Sequence, residues 1–308
     1  MTVATRDGRV RGIRTETLRA WRGIPYARPP VGPLRFRRPL PTERWNGVLD
    51  AVEHSPIAWQ SGALSDAVFP SSPQPPCNED CLSINISAPL EPPLERSGYP
   101  VLVWIHSGGN VVGWGAGKSV GDGIPFVNRG IMVVSFNYRL GALGFLHLSG
   151  VLGADEADAG VVGLLDQIEA LRWVHDNIAA FGGDPKRVTI YGVSAGGESV
   201  ANLLASPASY GLVRRAILSG GGGSHIAQPE QAQVITLRFL RELGLAPGAA
   251  AKLRQVPPAD LVAAQDAMAP GVHGAWVWRP VVGSSILPVV PIAAIARGDA
   301  FGRPLLIG

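Results

Sequence analysis

The chain has 308 residues, 46% of them hydrophobic, with 27 Lys and Arg against 24 Asp and Glu and a mean hydropathy just above zero. That much apolar material supports one large core or two small ones, which excludes a disordered or fibrous protein. The net charge is only +3 and the pI of about 9.1 comes from an arginine surplus spread along the sequence, not a basic block, so no nucleic-acid partner is expected.

No apolar run reaches the roughly 18 residues that a membrane helix needs, because Gly, Pro or a charge interrupts each candidate. The opening "MTVATRDGRVRG" has no apolar targeting core, and the expectation is a soluble protein of the cytoplasm. Residues 1–98 read as short strands and surface loops, and within them 60–78, "QSGALSDAVFPSSPQPPCN", reads as a surface loop. Cys77 and Cys81 stand four apart in "CNEDCLSINI". Cys81 opens a strand-like run that carries it away from Cys77 unless a turn intervenes, and no histidine stands at zinc spacing, so free thiols are favoured over a bridge or a metal site.

From residue 99 the pattern becomes regular. "YPVLVWIH", "IMVVSFNYR", "RVTIYG" and "RRAILSGG" read as buried strands, and "GLLDQIEALRWVHDNIAAF" repeats its apolar residues at helical spacing. Helices are expected around 229–243 and 259–268, and "RPLLIG" is a last strand. Strands alternating with helices imply an α/β fold with a mostly parallel sheet covered on both faces, here a single domain with 99–308 as its core sheet and helices.

Two serines lie in a G-x-S-x-G pattern, where chance gives about 0.3 matches in so glycine-rich a chain. Ser194, in "VTIYGVSAGGESVANLL", follows a β-branched run and precedes a helical one; Ser119, in "GKSVG", has neither flank. A nucleophile elbow needs both, so that a sharp turn thrusts the hydroxyl out above a helix N-terminus, and the glycines on either side let strand and helix approach. "GAGKS" misses the phosphate-loop spacing by one residue, which argues against an NTPase. Attack on a carbonyl also needs donors for the oxyanion, and "VWIHSGGN" offers them. Gly108 and Gly109 can turn bare N–H groups toward Ser194, joined by the N–H of Ala195.

On those residues the chain resembles the type-B carboxylesterase and lipase family, of which bacterial para-nitrobenzyl esterases and cholinesterases are members. The likeness runs through "WRGIPYARPPVGPLRFRRP", "NEDCLSINI", "VLVWIHSGG", "SFNYRLGALGFL", "GLLDQIEALRWVHDNIAAFGGDPKRVTIYGVSAGG" and "RRAILSG", in family order. It implies an α/β-hydrolase fold, hydrolysis of a small carboxylic ester through an acyl-serine on Ser194, an oxyanion hole at Gly108, Gly109 and Ala195, and no cofactor or metal. It also implies structural ion pairs between Arg35 and Glu79 and between Arg139 and Asp166. His106, Ser107, Val193 and His225 are the further candidates for lining the pocket, with His106 expected to support the donor loop. The chain departs from the family at Val193, where a glutamate is usual, at Ser107 for a glycine, at Gly283 for an aspartate, and at Ala58, where extracellular members place a cysteine that bridges to Cys81.

A serine needs an imidazole to take its proton and a carboxylate to orient the imidazole, and in this fold they follow it in chain order. The resemblance puts the acid shortly after "PLLIG" and the histidine later still, both beyond Gly308. Of the histidines after Ser194, His273 is expected in a connecting loop, and His225 follows a strand on the side where sites form, with Glu198 among its possible orienters. The expectation is therefore a domain incomplete at its C-terminus and nearly inactive alone. A noncatalytic relative that binds an acyl ligand or a protein partner is the alternative, motivated by Val193.

Overall fold

A computed structural model describes residues 1–308 except 94, 96, 117–122, 154, 155, 157, 270–276, 300 and 301. The strands are β1 (Thr2–Ala4), β2 (Arg9–Arg11), β3 (Ile13–Arg14), β4 (Arg19–Pro25), β5 (Val48–Asp50), β6 (Ser83–Ala88), β7 (Tyr99–Ile105), β8 (Met132–Phe136), β9 (Gly183–Val193), β10 (Arg215–Ser219) and β11 (Leu305–Ile307). The helices are α1 (Gly62–Val68), α2 (Ile124–Val127), α3 (Gly141–Phe145), α4 (Ser149–Leu152), α5 (Val162–Asn177), α6 (Ala195–Ala205), α7 (Pro229–Glu242), α8 (Pro258–Met268) and α9 (Pro291–Ala296).

The central sheet has eight strands in the order β11-β10-β9-β7-β8-β6-β4-β3. From β11 to β8 all pairings are parallel, and β6, β4 and β3 continue the sheet antiparallel. The first 98 residues thus supply three strands to this sheet, and β1, β2 and β5 form a separate small one. Every residue of β8 is buried, and β7 is buried at all but Pro100, as the unbroken apolar runs of its sequence require. α5 is buried along most of its circumference, and α6, which leaves the C-terminal end of β9, packs on β9 and β10.

The buried core is continuous from Val10 to Ala294. Two bidentate ion pairs lie within it. Arg139 donates to Asp166 through Nε at 2.8 Å and Nη2 at 2.6 Å, and its backbone N–H joins at 3.0 Å. Arg35 grips Glu79 through Nε at 2.7 Å and Nη2 at 2.6 Å while Nη1 donates to the carbonyls of Leu253 and Val256, tying three distant segments together. Both pairings are those the resemblance implied.

The stretch 60–78 departs from the loop reading, because Gly62–Val68 is helical. Ser61 caps it by accepting from the Leu64 N–H, and Leu64 and Ser65 are buried. Seven residues are too few for a visible helical period, so the cap serine was the one available signal. Cys77 is half-buried and Cys81 buried, both as free thiols whose pKa burial raises. Ala58 borders a gap of about 10 Å³ beside Cys81. Gly283 has φ +96°, a conformation glycine tolerates better than the aspartate usual there. Among the described residues no helix is long and apolar enough to cross a membrane. Ser119 and His273 lie outside the described residues.

Candidate active site

Ser194 stands between the last residue of β9 and the first of α6, with φ +55° and ψ −124°. A side chain in that region costs about 1–3 kcal/mol, so the surroundings must hold it there. Its N–H donates to the Ser219 carbonyl at the end of β10 (2.8 Å), and its own carbonyl accepts from the Glu198 N–H (2.9 Å). The glycines are steric requirements. A Cβ at Gly192 would overlap the Gly196 carbonyl, and one at Gly196 would overlap the Ile105 carbonyl at the end of β7. Ser194 is exposed, while Ala195, Gly196 and Gly197 beneath it are buried.

The parallel register pairs Ile105 with Gly192, so the chain leaving β7 enters its loop at the level of the elbow. Gly108 has φ +113° and Gly109 φ +65°. A Cβ at Gly108 would overlap the Val112 carbonyl, and the Gly108 carbonyl accepts from the Val111 and Val112 N–H groups, closing a tight turn. Among the described residues no hydrogen bond takes up the N–H of Gly108, Gly109 or Ala195. The turn is anchored by a residue that sequence reading missed. Buried Gln60 accepts from the Gly113 N–H at 2.7 Å and donates to the Gly113 carbonyl at 3.1 Å. No spacing or motif marks it, since its partner is 53 residues away.

His106 is buried beneath this loop, stacked on Tyr138 with ring centroids 4.4 Å apart. Its Nδ1–H donates to the Ser107 carbonyl at 2.9 Å. Burial lowers its pKa to about 4 against the opposing pull of that carbonyl, so at neutral pH it is an uncharged support. Burial raises the Tyr138 hydroxyl, with the Glu198 carboxylate adding to the shift. Ser107, Gly108, Gly109 and Val193 are half-buried, with Val193 level with Ser219 of β10. His225, in the loop after β10, donates from Nδ1 to the Glu198 carboxylate at 2.7 Å, and both side chains are largely covered. Gly221 of the same loop lies against the Ser194 carbonyl and the Glu198 N–H, where a Cβ would not fit. An imidazole–carboxylate pair is thus built one helical turn from the candidate nucleophile. Among the described residues no imidazole hydrogen-bonds to Ser194, and no cluster of His, Cys, Asp and Glu could hold a metal ion.

A strained serine thrust out between a parallel strand and a helix N-terminus, with a glycine turn leaving the neighbouring strand at its level, defines the α/β-hydrolase fold. Over 310 residues the chain is 42% identical to the para-nitrobenzyl esterase of Bacillus subtilis (strain 168), covering 99% of this chain and 61% of that one. It is 33% identical to an acetylcholinesterase of Leptinotarsa decemlineata, covering 100% of this chain and 53% of that one. Among solved structures it superposes on a PNB esterase with a TM-score of 0.89 at 41% identity, covering 100% of this chain and 63% of that one. On a carboxylesterase of Geobacillus stearothermophilus the TM-score is 0.88 at 41% identity, covering 100% and 60%. A profile described as the carboxylesterase family matches residues 1–308, and the chain belongs to that family. It spans about 60% of the length of the bacterial esterases it matches.

Proposed function

We propose that residues 1–308 form one hydrolase domain carrying the nucleophile and the oxyanion donors of an enzyme that hydrolyses small carboxylic esters. In this reading Ser194 Oγ attacks the ester carbonyl, and the N–H groups of Gly108, Gly109 and Ala195 receive the developing oxyanion. Each such donor is worth about 3 kcal/mol in the transition state. The N-terminus of α6 adds positive potential at the same point. The acyl group passes to Ser194 as the alcohol leaves, and water then releases the acid. The observation that carries this reading is the exposed Ser194, held at φ +55°. The two free thiols favour a reducing compartment, the cytoplasm, as its site of action.

With no imidazole on Ser194 among the described residues, this chain by itself is expected to turn over a short-chain nitrophenyl ester very slowly. Loss of the base costs on the order of a millionfold. Rates of an intact esterase from the purified chain, or unchanged organophosphonate labelling in a Ser194→Ala variant, would refute the assignment. Val193 supports a second reading, a noncatalytic relative whose cleft holds an acyl ligand. In that case a fatty acid binds while organophosphonate labelling at Ser194 is absent.

A further inference from the structure

The arginine surplus that the sequence scatters is gathered by the fold. β9, β10 and β11 are parallel neighbours, and the chain at or near their N-terminal ends carries Lys186 and Arg187, Arg214 and Arg215, and Arg303. These five cations line one open groove of about 700 Å³, with Tyr210 on its wall and no Asp or Glu among the lining residues. Arg187 holds the exposed Glu95 at 2.6 Å. Among the described residues no carboxylate lies within ion-pair distance of Lys186, Arg214 or Arg215, all of them exposed. Arg303 is half-buried. Burial lowers its pKa from the ordinary value, Tyr210 opposes the shift, and the charge of Arg214 adds to it. In a chain of net charge +3 this gathers five cations in one place, and three of them, Lys186, Arg214 and Arg215, have no ion-pair partner among the described residues.

We propose that this groove binds a compact polyvalent phosphate anion, a pyrophosphate group either free or as part of a nucleoside polyphosphate. Guanidinium forks match phosphate oxygens in pairs, and four of the five cations are arginines. A monocarboxylate would neutralise one fork and leave the rest repelling one another, whereas a di- or triphosphate bridges cations delivered by three strands. A volume of about 700 Å³ also falls in the range of small-ligand sites. Along β9 the distance from Arg187 to Ser194 is about 23 Å. The groove is therefore separate from the candidate active site, and its occupancy is independent of the esterase reading.

Calorimetric titration of the 308-residue chain with inorganic pyrophosphate, orthophosphate and ATP tests this. Expected are one site, affinity for pyrophosphate at least about tenfold above orthophosphate, and a clear weakening as NaCl rises from about 0.05 to 0.5 M. Arg214→Gln combined with Arg215→Gln should weaken pyrophosphate binding about tenfold or more, as should Lys186→Gln with Arg303→Gln. Arg241→Gln on α7, which removes one positive charge outside the groove, should leave it intact. ATP binding like pyrophosphate assigns the phosphates alone. ATP binding tighter, with the difference lost in Tyr210→Ala, assigns a nucleotide. No binding, equal losses in Arg241→Gln, or stronger binding of an oligoglutamate peptide or of DNA would overturn the proposal.

Discussion

Ser194 combines two properties that pull in opposite directions, since its hydroxyl is placed by a backbone conformation that penalises any side chain. Ser194→Gly is therefore expected to raise stability by about 1 kcal/mol while abolishing organophosphonate labelling, a stability–function trade confined to one residue. A urea midpoint equal to or below the parent's would mean that the elbow stores no strain. Gly196 makes the opposite case. A methyl there must displace the Ile105 carbonyl, so Gly196→Ala should cost about 2 kcal/mol or more and reduce labelling as well, by moving β7 and its loop away from the serine. An unchanged midpoint together with unchanged labelling would show that the close approach is unnecessary.

The elements that position the site were legible in proportion to their length and their burial. β7, β8 and α5 announce themselves because continuous apolar runs and helical periodicity are what burial on two sides demands. The elbow was legible because its glycines answer a local steric need. Gln60 was not, because its meaning lies in its bonds to Gly113, 53 positions away, and the seven-residue helix beside it was not, because it is too short to show a period. Likewise Glu198 could be named as a possible orienter, but its 2.7 Å bond to His225 depends on how the loop after β10 folds back over α6. Gln60→Ala would leave both the N–H and the carbonyl of Gly113 without a partner, costing about 1–3 kcal/mol, and should loosen the turn that carries Gly108 and Gly109. Hydrogen exchange across 106–113 is the direct measurement, and protection equal to the parent's would remove Gln60 from the account. At the buried ion pair, Arg139→Met strands the Asp166 carboxylate in the core and should cost about 3–5 kcal/mol, read as a fall in urea midpoint.

Over the whole molecule, the buried imidazole of His106 links stability to pH. His106 titrates at about 4 when folded against an ordinary 6.5, and partial desolvation also lowers the half-buried His147 and the more exposed His54. A depressed folded pKa means that the unfolded chain binds the proton first. The folded state therefore has its full advantage above about pH 6.5 and loses it as pH falls toward 4. For His106 alone the loss is about 2 kcal/mol by pH 5 and about 3 by pH 4. Partial desolvation raises the carboxyls of half-buried Asp7 and Glu169 and of the more exposed Asp80, which act in the opposite sense. They gain the folded state stability as pH falls through their raised values toward the ordinary 3.8 to 4.5, offsetting part of the decline only in the more acid range. Urea midpoints at pH 7.5 and 5.0 should accordingly fall on acidification, and a His106→Gln variant, less stable at pH 7.5 because it loses the stacking on Tyr138, should show a fall smaller by about 2 kcal/mol. Equal pH slopes in parent and variant would mean that His106 is as accessible to protons in the folded protein as in the unfolded chain, and that the donor loop does not rest on a buried, neutral imidazole.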